Sequence, residues 1–204
     1  MSQSNDEHDE DSDAIDHFTS HDAQLAALDI NATESINDEI LETFYHRDNL
    51  LTVMMATLDF IDVRMQQGLT LPYFEDIDPE QWQSKLKALD IYITDEIEGR
   101  ALNLEARSKD YATNILSYPS DLPIAVIELM PTLPLGELVI CHDVMVREAE
   151  EQDKAVAQHI SHLLIHGVLH LLGFDHELGQ AEQDEMEGFE IEVLAGLNLP
   201  NPYL

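Results

Sequence analysis

Three histidines in the last quarter of the sequence have the spacing of a metal site. The segment His166-Gly-Val-Leu-His170-Leu-Leu-Gly173-Phe-Asp-His176 places His166 and His170 one helical turn apart, on the same face of a helix. Gly173 allows the chain to leave helical geometry, so that His176 can fold back as a third nitrogen ligand. Three protein ligands leave one position of a tetrahedral zinc ion open for water, as in catalytic zinc sites. The segment therefore predicts one Zn²⁺ per chain, bound by His166, His170 and His176.

The other histidines are not expected to bind this ion. His162 and His170 lie two turns apart, about 12 Å along a straight helix, which is too far for both to reach one ion at about 2 Å. We therefore do not expect His162 to bind the ion: it either contacts the ligands from outside the metal site or lies at the surface, and the surface position is favoured. No metal role is expected for the histidines at positions 8, 17, 21, 46, 142 and 159.

The spacing is shared with the metzincin proteases, but one residue of their motif is missing. Those proteases carry a glutamate directly after the first histidine, where it acts as general base, and this sequence has Gly167 there. Peptide hydrolysis by that mechanism is therefore disfavoured. Asp175 and Glu177 flank His176, and they either orient the ligands or belong to an exposed acidic loop.

Composition limits the classes of protein to which the chain can belong. Its 204 residues suit one domain plus a tail, and 44% hydrophobic residues are enough for a core. With 42 Asp and Glu against 9 Lys and Arg, the net charge of −33 excludes a broad basic surface for nucleic acid and disfavours anionic membranes. The single cysteine, Cys141, excludes an internal disulfide and a four-cysteine zinc site. With no secretory signal and no long apolar run, we expect a cytoplasmic protein.

Charge and periodicity divide the chain into two parts. Residues 1–48 contain 14 acidic residues and one basic residue, Arg47, and are predicted to be an acidic, largely disordered leader. Residues 49–204 are predicted to form a single metal-dependent hydrolase domain. Within it, the patterns predict strands at residues 50–61, 89–94, 113–118 and 136–144, and helices at 78–88, 95–104, 148–172 and 181–197. This order favours an α+β fold, with a small mixed sheet covered by helices.

Several segments together resemble one family of proteins. The histidine segment is similar to the signature of the bacterial YbeY family, whose members are metal-dependent endoribonucleases of ribosomal RNA maturation. The other matching segments are Leu102-Asn103, Arg107, Thr113-Asn-Ile-Leu-Ser-Tyr-Pro119, Gly136-Glu-Leu-Val-Ile-Cys141 and Asn201-Pro-Tyr203.

The resemblance implies a fold, a site and a function. The fold is zincin-like α+β, the zinc ligands are His166, His170 and His176, and Arg107 is the functional basic residue beside the metal, alone or with Lys109. The implied function is that of a zinc-dependent, single-strand-specific endoribonuclease in 16S rRNA 3′-end maturation and ribosome quality control. Its implied partners are ribosomal RNA and the small ribosomal subunit, reached directly or through a protein, with no role for DNA or membranes.

The residues alone leave alternatives to each of these expectations. Without the resemblance, Arg107 would be read as part of a surface ion pair in an acid-rich protein. The protein could also be a non-catalytic ribosome-assembly factor with a structural zinc, or a zinc hydrolase that acts on another substrate.

Overall fold

A four-stranded mixed sheet forms the centre of the fold. The computed structural model describes residues 26–204. Its strands are β1 (Ala26–Ala32), β2 (Leu86–Thr94), β3 (Ile115–Pro119) and β4 (Thr132–Cys141). They lie in the order β1-β2-β4-β3, with β1, β2 and β4 parallel and β3 antiparallel to β4. The predicted α+β fold with a small mixed sheet is confirmed, and β3 is one of the two edge strands.

Helices pack around this sheet, and one of them is central. The helices of the described residues are α1 (Asp38–Phe44), α2 (Arg47–Gln66), α3 (Pro79–Ser84), α4 (Glu96–Arg107), α5 (Ile124–Ile127), α6 (His142–Glu151), α7 (Val156–Leu171) and α8 (Gln180–Gly196). Helix α7 packs against β3 and β4 on one side and against α2 and α8 on the other. Between residues 26 and 204, no helix combines the length and the apolarity needed to cross a membrane.

The packed domain begins well before residue 49, so the predicted boundary of the leader is wrong. Ala26–Ala32 pairs with β2 as a parallel strand, and Ala26 and Leu28 are 0% and 2% exposed. The strand itself has one acidic residue, the exposed Asp29, so it is the composition of residues 1–48 as a whole, with 14 acidic residues, that conceals its alternation of buried residues. Helix α1 and the start of α2 also fall within the predicted leader, and its residues 1–25 lie outside the described residues.

The strand predicted at residues 50–61 is instead the middle of α2. Its buried side chains recur at helical intervals of three and four residues, at Leu50, Val53, Met54, Thr57, Leu58 and Ile61. The apolar composition of this segment suits either structure, whereas the spacing of its buried positions specifies a helix.

The long helix predicted at residues 148–172 is divided into α6 and α7. Asp153 adopts a left-handed conformation with φ of 51°, and the Lys154 amide donates a hydrogen bond to the Ala149 carbonyl. This geometry ends a helix, and glycine usually provides it. Because an aspartate takes the glycine's place, the usual stop signal is missing at this position.

Helix α7 approaches the sheet closely at Gly167. A Cβ atom at this position would lie 2.7 Å from Leu138 Cδ2 and 2.8 Å from Ile115 Cδ1. We expect Gly167→Ala to lower the free energy of unfolding by about 1–2 kcal/mol, because overpacking outweighs the gain in helix propensity. Urea denaturation at matched metal loading measures this change.

Gly188, within α8, provides the control. Nothing lies within 4 Å of the position that its Cβ would occupy. Gly188→Ala should therefore raise the free energy of unfolding by about 0.5–1 kcal/mol. Stabilisation by both substitutions would show that α7 does not depend on the missing Cβ for its packing.

Candidate metal centre

The end of α7 brings the three predicted ligands together. His166 and His170 lie one turn apart, with their Nε2 atoms 3.1 Å from each other. The His176 ring centroid lies 5.2 Å from that of each of the other two rings. One nitrogen from each residue can be chosen so that all three lie within 4.8 Å of one another. The spacing of the histidines therefore does produce a cluster that could hold a metal ion.

Gly173 makes this convergence possible. It has φ of 98°, its amide donates to the His170 carbonyl, and the Phe174 amide donates to the Leu169 carbonyl. These two hydrogen bonds form a Schellman motif, which ends the helix and reverses the chain. Phe174 is buried beyond the turn, and His176 follows on the returning segment.

The chemistry of the cluster fits a metal such as zinc. Two imidazole ligands of one tetrahedral zinc ion have nitrogen atoms about 3.3 Å apart, close to the separation found for His166 and His170. A ligand histidine must be neutral. Burial, reinforced by the neighbouring His166 and His176, lowers the pKa of His170 to about 4, so His170 is neutral at physiological pH.

A buried carboxylate on α8 orients one of the ligands. Glu190 is 1% exposed and accepts hydrogen bonds from His166 Nδ1 and His162 Nε2, each at 2.8 Å, and from the Tyr203 hydroxyl. Burial alone would raise the pKa of Glu190, but the hydrogen bonds from His162 and His166 outweigh it and lower the pKa to about 2. The ionised carboxylate only accepts, so the proton of His166 lies on Nδ1 and its Nε2 lone pair faces His170.

The sequence interpretation missed the roles of Glu190 and Tyr203, and for His162 the structure matches its second alternative, a contact with groups that surround the ligands. The His162 side chain is 16% exposed and contacts Glu190, instead of lying free at the surface. One signal was available for Glu190, because it falls within the stripe of buried residues on α8: Met186, Phe189, Val193 and Leu194. An acidic residue within an apolar stripe indicates a carboxylate with buried partners. Tyr203 belongs to the matching segment Asn201-Pro-Tyr203, but no contact with the metal centre was assigned to it.

A cleft of about 630 Å³ opens beside the three histidines. Its walls are the edge strand β3, the end of α4 with Arg107, the residue Tyr73 and the loop at residues 175–177. The predicted functional arginine therefore lies in the same cleft as the predicted ligands. Arg107 also forms an ion pair with Glu177, at 2.6 Å. Both interpretations of Arg107 therefore agree with the structure, since it lies beside the candidate ligands and also belongs to an ion pair.

The acidic residues that flank His176 are engaged within their own loop. Asp175 accepts a hydrogen bond from the Glu177 amide, and Glu177 accepts one from Arg107. The bond from Arg107 holds the pKa of the exposed Glu177 below its usual range, and nearby Lys109 adds a smaller effect. These contacts favour the acidic-loop interpretation, and Glu190 fills the orienting role.

His142 and His159, for which no metal role was expected, contact other side chains instead of the three candidate ligands. The ring of His142 packs against Phe44 and Tyr45, and its Nδ1 lies 3.1 Å from the Tyr45 hydroxyl. His159 is buried, with its Nε2 3.2 Å from a Glu148 carboxylate oxygen.

Comparison with known sequences identifies the family to which the chain belongs. A profile of the family described as endoribonuclease YbeY matches residues 72–198. The chain belongs to the YbeY family. Membership supports an endoribonuclease role, hence a hydrolase, and confirms the resemblance found in the sequence.

Three proteins named endoribonuclease YbeY illustrate how similar the relatives are. The protein from Psychrobacter arcticus is 72% identical over 205 positions that cover 100% of both chains. That from Psychrobacter cryohalolentis is 79% identical over 154 residues, covering 76% of this chain and 99% of the relative. One from Acinetobacter baumannii is 56% identical over 106 residues, covering 52% and 67%. A solution structure of TM1509 from Thermotoga maritima aligns with 84% of this chain and 91% of its own, at 17% identity and a TM-score of 0.45.

The role of the Glu190 carboxylate can be tested by measuring the metal affinity of a variant. Glu190→Gln should weaken zinc binding by about 10–100-fold, because a neutral amide no longer orients and polarises His166 as the ionised carboxylate does. Competition with a chromogenic chelator measures the affinity, and circular dichroism checks the fold. Glu185→Gln, at an exposed position of the same helix, is the control and should leave affinity unchanged. Equal affinities for the two variants would remove Glu190 from the metal centre.

Proposed function

We propose that this protein is a zinc-dependent, single-strand-specific endoribonuclease that acts in 16S rRNA 3′-end maturation and ribosome quality control. One observation carries the proposal: a single cleft holds three convergent imidazoles and the guanidinium of Arg107, in a chain of the YbeY family. Imidazoles suit a catalytic metal, and a guanidinium suits a phosphate group.

In this proposal, one zinc ion per chain is held by His166, His170 and His176. Bound there, zinc supplies Lewis-acid chemistry toward a phosphate oxygen and makes a water molecule more acidic. The protein's own contribution begins with Glu190, which stays ionised and fixes the proton of His166 on Nδ1. The ligand nitrogens are thereby held in place before substrate arrives.

Arg107 is proposed to bind the phosphate group that is cleaved. Its ion pair with Glu177 is partly exposed, with side-chain exposures of 37% and 58%. Such a pair contributes about 1 kcal/mol or less, so a phosphate can replace Glu177 at little cost. A guanidinium offers two parallel donors to a phosphate, and it can keep them through the reaction.

The packing of α7 at Gly167 is evidence against a metzincin-type protease. Gly167 occupies the position of the protease glutamate, and it faces Leu138 and Ile115 of the sheet. A side chain at this position would enter the packed interface between α7 and the sheet. The carboxylate general base of that mechanism therefore has no place here.

The net charge of −33 bears on how RNA would reach the cleft. Non-specific attraction to a polyanion is weak for such a chain, because few basic residues are available to release counterions. We therefore propose that the small ribosomal subunit presents its RNA to the protein, directly or through a protein partner, in the cytoplasm. DNA and membranes have no part in this function.

Zinc content and RNA cleavage, measured on the same preparations, test the proposal. We expect one zinc per chain and cleavage of single-stranded RNA in preference to duplex. Arg107→Ala should keep its zinc but lose roughly 100-fold or more in kcat/KM, because the phosphate loses its charged donor. Arg100→Ala is the matched control, since Arg100 pairs with Asp110 outside the cleft. Zinc-loaded wild type that cuts no RNA, with or without small subunits, would contradict the proposal.

A second variant separates catalysis from a structural role for the metal. His176→Ala removes one ligand from the returning loop and leaves α7 intact. We expect the folded variant to lose zinc and to fail in 16S rRNA maturation when it replaces the wild type in cells. If the folded variant supports normal maturation, the protein acts as an assembly factor and not as a metal-dependent nuclease.

A further inference from the structure

The cleft has little positive charge with which to hold an RNA strand. Within residues 26–204, its lining contains Arg107 as the one lysine or arginine, against the acidic Asp175 and Glu177. Arg107 is itself paired with Glu177. Affinity for a strand in this cleft therefore has to come largely from uncharged contacts, and for single-stranded nucleic acid the strongest of these is stacking of bases on aromatic rings.

Tyr73 places an exposed aromatic ring at this cleft. It is 57% exposed and lines the same cavity as His166, His170 and His176. Exposure of a large aromatic side chain is unfavourable in water, so a ring left open beside a candidate active site is suited to binding.

The backbone of Tyr73 is fixed to the loop that carries His176. Its amide donates a hydrogen bond to the Leu172 carbonyl, at 3.3 Å. A Cβ atom on Gly173 would lie 2.8 Å from Pro72 Cβ, 2.9 Å from Tyr73 N and 3.0 Å from Tyr73 Cγ. Gly173 is thus needed twice, for the helix-ending turn and for the close packing of Tyr73 on that turn. The ring is therefore held next to the metal loop and not at the tip of a free loop.

We propose that Tyr73 is a substrate-binding residue that stacks on an unpaired nucleobase of the RNA strand beside the metal centre. This inference rests on the proposed endoribonuclease function, and it gives a physical reason for the preference of single-stranded over duplex RNA. A base within a duplex is stacked on both faces and cannot lie on the tyrosine ring, whereas a base in a single strand can. Selection for single strands then follows from the ring and needs no basic groove.

Tyr73→Ala and Tyr73→Phe test this role against a matched control. Tyr111 is 55% exposed and lines a different groove, with Ile97 and Arg100, so Tyr111→Ala removes a similar ring away from the cleft. With a single-stranded oligoribonucleotide, we expect Tyr73→Ala to raise KM roughly tenfold with kcat nearly unchanged. Tyr73→Phe and Tyr111→Ala should behave as wild type, because a phenyl ring also stacks and Tyr111 does not reach the substrate.

Two further measurements show whether the lost contact is stacking. The effect of Tyr73→Ala should be the same at about 50 and 200 mM salt, whereas the effect of Arg107→Ala should shrink as salt rises. A scan of abasic positions along the oligoribonucleotide should find one position where wild type and Tyr73→Ala bind equally, because no base is left to stack. Fluorescence anisotropy with the zinc-loaded proteins gives these affinities without requiring cleavage.

The outcomes separate this inference from the proposed function. If wild type fails to cleave RNA, the proposed function fails, while the anisotropy comparison still decides whether Tyr73 stacks on a base. Unchanged affinity and KM in Tyr73→Ala would overturn the stacking role. Loss of zinc or of kcat in Tyr73→Ala would also overturn it, since the ring would then support the metal loop instead of the substrate.

Discussion

The candidate metal centre depends on the hydrogen bonds that surround the buried Glu190 carboxylate. An ionised carboxylate in a protein interior costs several kcal/mol unless donors satisfy it. Here two donors come from α7, at His162 and His166, and a third is the hydroxyl of Tyr203. One charge thus links α7, α8 and the segment after α8, and that charge determines which nitrogen of His166 is free to bind metal.

A second constraint places the ligands beside the open edge of the sheet. Successive residues of a helix point about 100° apart, so the face that carries His166 and His170 adjoins the face that carries Gly167. Because Gly167 lies directly against Ile115 and Leu138, α7 sits close to β3 and β4, and its histidines emerge beside β3. The close contact at the glycine therefore builds both the core of the domain and one wall of the cleft.

Sequence reasoning succeeded where the chemistry is local and failed where it depends on distant segments. The three ligands lie within one short segment, whose helix and glycine turn follow from residue spacing, so their convergence was predictable. Glu190 comes from another helix, and Tyr73 reaches the cleft because its segment packs on the turn at Gly173. Composition misled in two other places. The acidic residues around β1 concealed this edge strand, which itself has one, and the apolar residues of α2 made that helix resemble a strand. In each case the spacing of buried positions carried the information.

The net charge of the protein and the chemistry of its cleft have different effects on RNA, so a strongly acidic surface is compatible with a nuclease. At the cleft, Arg107 is neutralised by Glu177, and a phosphate that displaces Glu177 recovers a charged hydrogen bond at short range. Outside the cleft, the excess of carboxylates repels RNA that no local contact holds. Such a protein would bind poorly to arbitrary RNA and would act on strands delivered to it with an unpaired base and an accessible phosphate. Under the proposed function, low general affinity would then select the substrate, because a strand is retained only where delivery and contacts within the cleft together overcome the repulsion.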